Sequence, residues 1–133
     1  MASTNHQDSI LISVYPAYGE QIKNRQKQVE FRKTRITRKI EIVYFYFTSP
    51  ISKVLLSATI KVIDYATPHH LWSKYKHISG ITKQEFDEYF RDNHVGTAIV
   101  LHKVFTLDKP RSIYQFCHLK HPPQNFIYIH SRA

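Results

Sequence analysis

Between Lys39 and Phe47 the chain reads KIEIVYFYF, a run of β-branched and aromatic residues that fits a pleated, half-buried strand better than any helix or loop. Thr48-Ser49-Pro50 ends it, and Val54 to Asp64 (VLLSATIKVID) continues in the same composition, so a sheet of several strands is implied. Alternation puts Phe45 and Phe47 on one face, read as core, and Tyr44 and Tyr46 on the other. Upstream, Ile10 to Tyr15 (ILISVY) reads as a short buried strand ended by Pro16, which suits the first turn of a helix running from Ala17 to about Asn24. Lys27 to Lys33 (KQVEFRK) alternates again, Val29 and Phe31 on an apolar face against Gln28, Glu30 and Arg32 on a polar one.

The period then changes. His69 to about His77 and Lys83 to about Asn93 are helical, with Phe86, Tyr89 and Phe90 at i, i+3, i+4, and with Thr82 as N-cap three residues before Glu85. Gly80 separates these helices, and Trp72, Tyr75 and Ile78 recur at the spacing of a seam that packs a helix on the sheet. Thr97 to Leu107 and Phe126 to Ile129 complete the strands, joined through Pro110 and Pro122-Pro123. The length of 133 residues suits one domain, here residues 10–130 after a flexible N-terminus, residues 1–9. With 42% hydrophobic and 22% charged residues the chain should fold by itself.

The start, MASTNHQDSI, has no basic stretch before an apolar core, and no run approaches a membrane span, so a cytoplasmic protein without membrane insertion is expected. The lone Cys117 excludes an intramolecular disulfide and is read as a half-buried strand residue without a role. Nine histidines lack metal-ligand spacing: His69-His70 are adjacent, and His118 and His121 carry no accompanying carboxylate. Neither a metal nor another cofactor is expected.

Charge is the feature that points outward. Nineteen Lys and Arg against ten Asp and Glu give a formal charge of +9, which favours polyanionic partners. Eight of those cations lie in the 17 positions from Lys23 to Lys39, with Glu30 the one acid among them. Lys23, Arg25, Arg35 and Arg38 suit phosphates, and Tyr44 offers a ring face for an unstacked base. Lys27, Glu30 and Arg32 form a tighter group, in which the acid can accept from the polar edge of a base while the cations hold its phosphate. Spacing alone leaves this reading level with a surface ion-pair ladder. Ser49 and Gln124, polar residues beside prolines, are either turn chemistry or side chains aimed into a cleft. Duplex DNA is a less favoured partner than RNA, since the cations cluster beside strands rather than on a recognition helix.

The stretch ILISVYPAYGEQIKNRQKQVEFRK resembles the opening of the ASCH family, a branch of the PUA-like superfamily, in which a strand and a Pro-started helix lead into a Gly-x-Lys-x-x-Glu-x-Arg motif. Lys27, Glu30 and Arg32 fall on its Lys, Glu and Arg, while Arg25 stands where the family has Gly, which puts the usual tight turn in question. Thr48-Ser49-Pro50, the segment from Leu71 to Phe90, and Pro122-Pro123-Gln124 with Phe126 extend the likeness over residues 10–129. The resemblance implies an α+β fold, a small mixed β-barrel with peripheral helices, and a cleft for RNA or a nucleoside. It also implies three uses for that cleft: binding RNA, cleaving it, or removing the acyl group of N4-acetylcytidine. The last uses a Thr where this chain has Glu30, and a carboxylate does not replace a hydroxyl nucleophile. As a hydrolase, the chain would use Lys27 and Glu30, with Lys53 or a histidine as further acid/base candidates.

Overall fold

The computed structural model describes residues 8–130. The polar start assigned to a flexible terminus lies largely outside them, although Asp8 and Ser9 already belong to the first strand. In order the chain forms β1 (Asp8–Val14), α1 (Pro16–Lys23), β2 (Val29–Arg32), β3 (Ile40–Phe47), β4 (Lys53–Ala66) and α2 (Pro68–Tyr75). A 3-10 turn (Lys76–Ile78), α3 (Lys83–Tyr89), β5 (Gly96–Arg111), α4 (Ile113–Cys117) and β6 (Phe126–His130) follow.

The strands make one mixed sheet in the order β2-β5-β4-β3-β1-β6, with β1 and β3 parallel and every other neighbour antiparallel. The register of β4 slips three times against β5, and β3 slips once against β4 between Phe45 and Tyr46. Such irregularities sharpen the strand twist, and the sheet curls into a half-barrel with helices around it. This is the α+β architecture expected from the sequence. No described helix is long and apolar enough to cross a membrane.

Inside the curl, Ile10, Ile12, Val43, Phe45 and Phe47 pack with Ile22 of α1 in the largest apolar cluster. Each such fully buried side chain stabilises the fold by about 1.5–3 kcal/mol. A Cβ on Gly19 would run into the Phe47 ring, so α1 can seat on β3 only through this glycine. A second cluster joins α2 and α3 to β2 and β5: Leu71, Tyr75, Phe86 and Phe90 meet Val29, Phe31 and Val100. Leu71 rather than Trp72 is the fully buried member of the α2 seam.

The alternation of β3 is correct, but its second face is not left to solvent. Tyr46 is 5% exposed, and with Leu11, Val54 and Ile113 it forms a third cluster beneath α4. That helix is a difference from the sequence reading, which placed no element there, and it carries Cys117, so this residue is helical rather than in a strand. Its capping box, Ser112 with Gln115, is a readable start signal in SIYQ. Burial pushes the Cys117 thiol up from its ordinary range.

Candidate functional site

A cleft of about 540 Å³ is framed by the end of β1, α1, β2 with its approach, the turn after β3, α3 and the proline-containing connection before β6. Its two cations, Lys27 and Arg32, and Glu30 between them come from the basic stretch, and Glu85 comes from α3. Lys27 precedes β2 instead of lying in it, and a backbone bond from its N–H to the Gln21 carbonyl, 3.0 Å, fixes it below α1. The turn that delivers it passes through Arg25 at φ 69°, the left-handed region that favours glycine. The tight turn questioned at this non-glycine position is therefore kept, at a conformational cost of about 1–2 kcal/mol for an L-residue. The Arg25 N–H donates to Ile22 O at 3.2 Å, and Gln28 Nε2 donates to Arg25 O at 3.1 Å.

Lys27 is 3% exposed and Glu30 6%, so the polar face of β2 faces the interior of the cleft rather than open solvent. Lys27 Nζ donates to Ser79 O at 2.7 Å and lies 3.7 Å from Glu30 Oε1. Arg32 Nη2 bonds the other carboxylate oxygen, Oε2, and also donates to Ser13 O at 2.9 Å. One carboxylate thus separates two cations, as a surface ion-pair ladder would not need to do. Burial pulls the Lys27 ammonium below its usual range; Glu30 opposes this and Arg32 adds to it. Arg32 Nε is buried without a hydrogen-bond partner.

Aromatic rings complete the walls. Lys27 Nζ sits 5.3 Å from the centre of the Tyr18 ring, on the cation–π scale. The Tyr18 hydroxyl donates to Glu85 Oε2 at 3.1 Å, tying α1 to α3 across the cleft. Burial, then that bond to Glu85, raises the Tyr18 phenol. Glu85 is held low first by the Thr82 backbone N–H and then by Tyr18; it is also the acid of the α3 capping box. Tyr89 lines the cleft too, its phenol raised by burial against the opposing pull of Arg32. The 79–81 turn crosses above Lys27 because Gly80 is at φ +68°, where a Cβ would come 3.0 Å from Lys27 Cβ.

Of the residues singled out in the sequence, Lys27, Glu30, Arg32 and Gln124 line this cleft. Arg35 and Arg38 line a separate groove. Lys23 is exposed at the end of α1, and Arg25 is half-buried in the turn beyond it. Tyr44 packs against Phe116, ring centres 4.9 Å apart, which takes its face away from a ligand in the cleft. Ser49 is exposed in the turn after β3, where Thr48 reaches the cleft in its place. Lys53 is half-buried at the start of β4, paired with Phe47 and outside the cleft lining. Sequence reasoning did not assign Tyr18, Ser79, Glu85 or Tyr89 to the site. The periodicity of α1 and α3 reveals which residues share a face, but not that the two helices meet. Among the described residues no three His, Cys, Asp or Glu side chains are grouped to hold a metal ion.

Residues 8–120 match the family model described as a domain of unknown function (DUF365). The ASCH domain-containing ribonuclease of Zymomonas mobilis is 27% identical over 92 residues, which cover 68% of this chain and 62% of that protein. ATP synthase subunit alpha of Ureaplasma parvum is 30% identical over 122 residues, 91% of this chain and 15% of that protein. The chain therefore spans less than two thirds of both relatives. The crystal structure of ASCH from Zymomonas mobilis superposes with a TM-score of 0.79 at 25% identity, covering 91% of this chain and 87% of that one.

Proposed function

This chain belongs to the ASCH domain family and to the family described as a domain of unknown function (DUF365), and we propose that its cleft takes up one unstacked nucleotide of single-stranded RNA. The observation that carries this reading is the convergence of Lys27, Glu30 and Arg32 in a cleft walled by tyrosine rings. A base offers a π-face and a polar edge. Stacking on aromatic side chains is worth about 1–3 kcal/mol per base, and Tyr15, 69% exposed at the mouth, is open to such contact. A carboxylate has lone pairs to spare after two cation contacts, so Glu30 can accept from an exocyclic amine. The Arg32 Nε–H, left without a partner, is a donor suited to a carbonyl or phosphate oxygen.

Fluorescence anisotropy with a labelled single-stranded ribo-oligonucleotide tests this, with duplex DNA as competitor. Binding should fall with salt, the logarithmic slope being about −0.7 per neutralised phosphate. Arg32→Lys, which removes the planar fork, should weaken binding at every salt concentration. Absence of RNA binding at low salt, or preference for duplex DNA, would sink the reading.

A second reading, that the cleft cleaves RNA, is favoured by the ribonuclease name of the Zymomonas relative and by the closeness of Lys27 to Glu30. One group would take the 2′-hydroxyl proton as that oxygen attacks the phosphorus, and another would protonate the departing 5′-oxygen. Arg32 would stabilise the charge that builds on the phosphoryl oxygens. Chelator-resistant release of cyclic-phosphate ends, lost in Lys27→Met while RNA is still bound, would support it; intact RNA would leave a binding module. Deacylation of N4-acetylcytidine is not expected, because Glu30 occupies the position of the nucleophilic Thr, and incubation with that nucleoside checks the point.

A further inference from the structure

The second groove, about 350 Å³, lies between the β2–β3 connection and the exposed face of β4. Arg35, Arg38 and Lys39 come from the connection and Lys61 from β4, and no carboxylate lines the groove. Arg38 is engaged by Asp8 at 3.9 Å and by the Tyr128 ring at 4.6 Å. Arg35 instead lies 4.7 Å from the centre of the Tyr65 ring, and this ring is 39% exposed. A guanidinium beside a partly open ring, with two exposed lysines near by, combines the two contacts single-stranded nucleic acid needs: a stacking face and phosphate-binding cations.

We propose that this groove is a second RNA subsite, holding the backbone and one base of the same strand a few nucleotides away from the one that enters the cleft. The inference rests on the RNA reading of that cleft and extends it to Lys61 and Tyr65, which the basic stretch does not contain. Continuity follows from the chain itself. Arg32 lines the cleft and Arg35 the groove, so three residues, at most about 11 Å of extended chain, separate their Cα atoms. That is a span of at most a few nucleotides, since even a fully stacked strand rises about 3.4 Å per nucleotide along its helix axis. The connection is also held in place: Thr97 Oγ1 donates to Thr34 O at 2.9 Å, and Asn125 Nδ2 donates to Thr34 Oγ1 at 3.0 Å. A strand leaving the cleft therefore meets a fixed basic ridge and the groove beyond it.

The test measures the affinity of labelled single-stranded RNA of two lengths, a dinucleotide and a 12-mer, for three full-length proteins: wild type, Arg35→Glu/Lys61→Glu and Arg32→Lys. Both groove positions are exposed, and thermal melting confirms that the double variant folds. If the groove is used, the double variant binds the 12-mer at least tenfold more weakly and leaves the dinucleotide unchanged, whereas Arg32→Lys weakens both. A 12-mer carrying 4-thiouridine should also photo-crosslink to Tyr65. Unchanged 12-mer affinity in the double variant overturns the groove and leaves the cleft standing. Loss in the double variant with none in Arg32→Lys keeps the groove and removes the cleft reading. A wild type that binds neither RNA overturns both.

Discussion

Lys27 and Arg35 stand eight positions apart in one basic stretch, yet they end in opposite surroundings. Lys27 is buried, shares a carboxylate with Arg32 and is bonded to the Ser79 carbonyl; Arg35 is exposed beside a ring in a groove that no acid lines. A charge taken out of water must be paired, and one left in water need not be. The cleft is accordingly a preformed constellation that the fold pays for, while the groove is a field of exposed cations left in water.

The largest expected effect breaks the cleft side of this contrast. Glu30→Ala leaves Lys27 and Arg32 buried together without their shared acid, and unpairing a buried charge destabilises by about 3–5 kcal/mol. Arg35→Ala, on the exposed side, should stay within about 0.5 kcal/mol. Urea midpoints of the two variants compare them directly, and equal losses would dissolve the distinction. Next in size is Gly80→Ala. It places a Cβ at positive φ, 2.8 Å from Gln21 Oε1 and 3.0 Å from Lys27 Cβ, and overpacking of this kind costs about 1–3 kcal/mol. Because the strain falls on the turn that satisfies Lys27, RNA affinity should fall with stability; full affinity in a destabilised variant would show that the Lys27 clamp is not needed. Thr82→Ala removes the hydroxyl of the α3 capping box and should cost about 1 kcal/mol by the same urea measurement. It also loosens the helix whose Glu85 receives Tyr18, so a wild-type midpoint would mean that α3 is held by its aromatic face alone.

How far the sequence revealed this arrangement follows from range. Local signals were legible: the β-branched run of β3, Pro16 at the start of α1, and Thr82 with Glu85 at the start of α3. The grouping of Lys27, Glu30 and Arg32 was legible because the three lie within six positions. Their burial was not, since it depends on Ser79, Tyr18 and Tyr89 arriving from two other helical segments and a turn. Tyr44 illustrates the opposite failure. Its strand and face were readable, but what covers that face is Phe116 on a five-residue helix more than sixty positions away. Arg25 stands where the family motif has glycine and takes a backbone that favours glycine, φ 69°, so residue identity alone does not reveal that turn.

The smallest effect sharpens the comparison through pH. Burial lowers the folded-state pKa of Lys27, while in the unfolded chain the ammonium titrates near about 10.4. Between the two values the unfolded chain holds a proton that the folded chain has released, so stability from this group rises with pH. Other groups oppose it at the alkaline end. Tyr18, Tyr75 and Tyr89 are raised by burial, and Cys117 likewise, so each keeps its proton in the folded state after the unfolded chain has lost it. Lys74, raised by its bond to Asp64, also loses stabilisation as pH climbs through its folded value. The wild-type profile should thus climb over the range below about pH 10.4 in which folded Lys27 has released its proton, and bend downward as the tyrosines titrate. Lys27→Met keeps the side-chain bulk and leaves Glu30 paired with Arg32, so it should remove the climb and spare the bend. Urea unfolding of both proteins from pH 7 to 11 checks this. Superposable profiles would mean that Glu30 fully compensates the burial of Lys27, and the cleft would then resemble the groove electrostatically in spite of its depth.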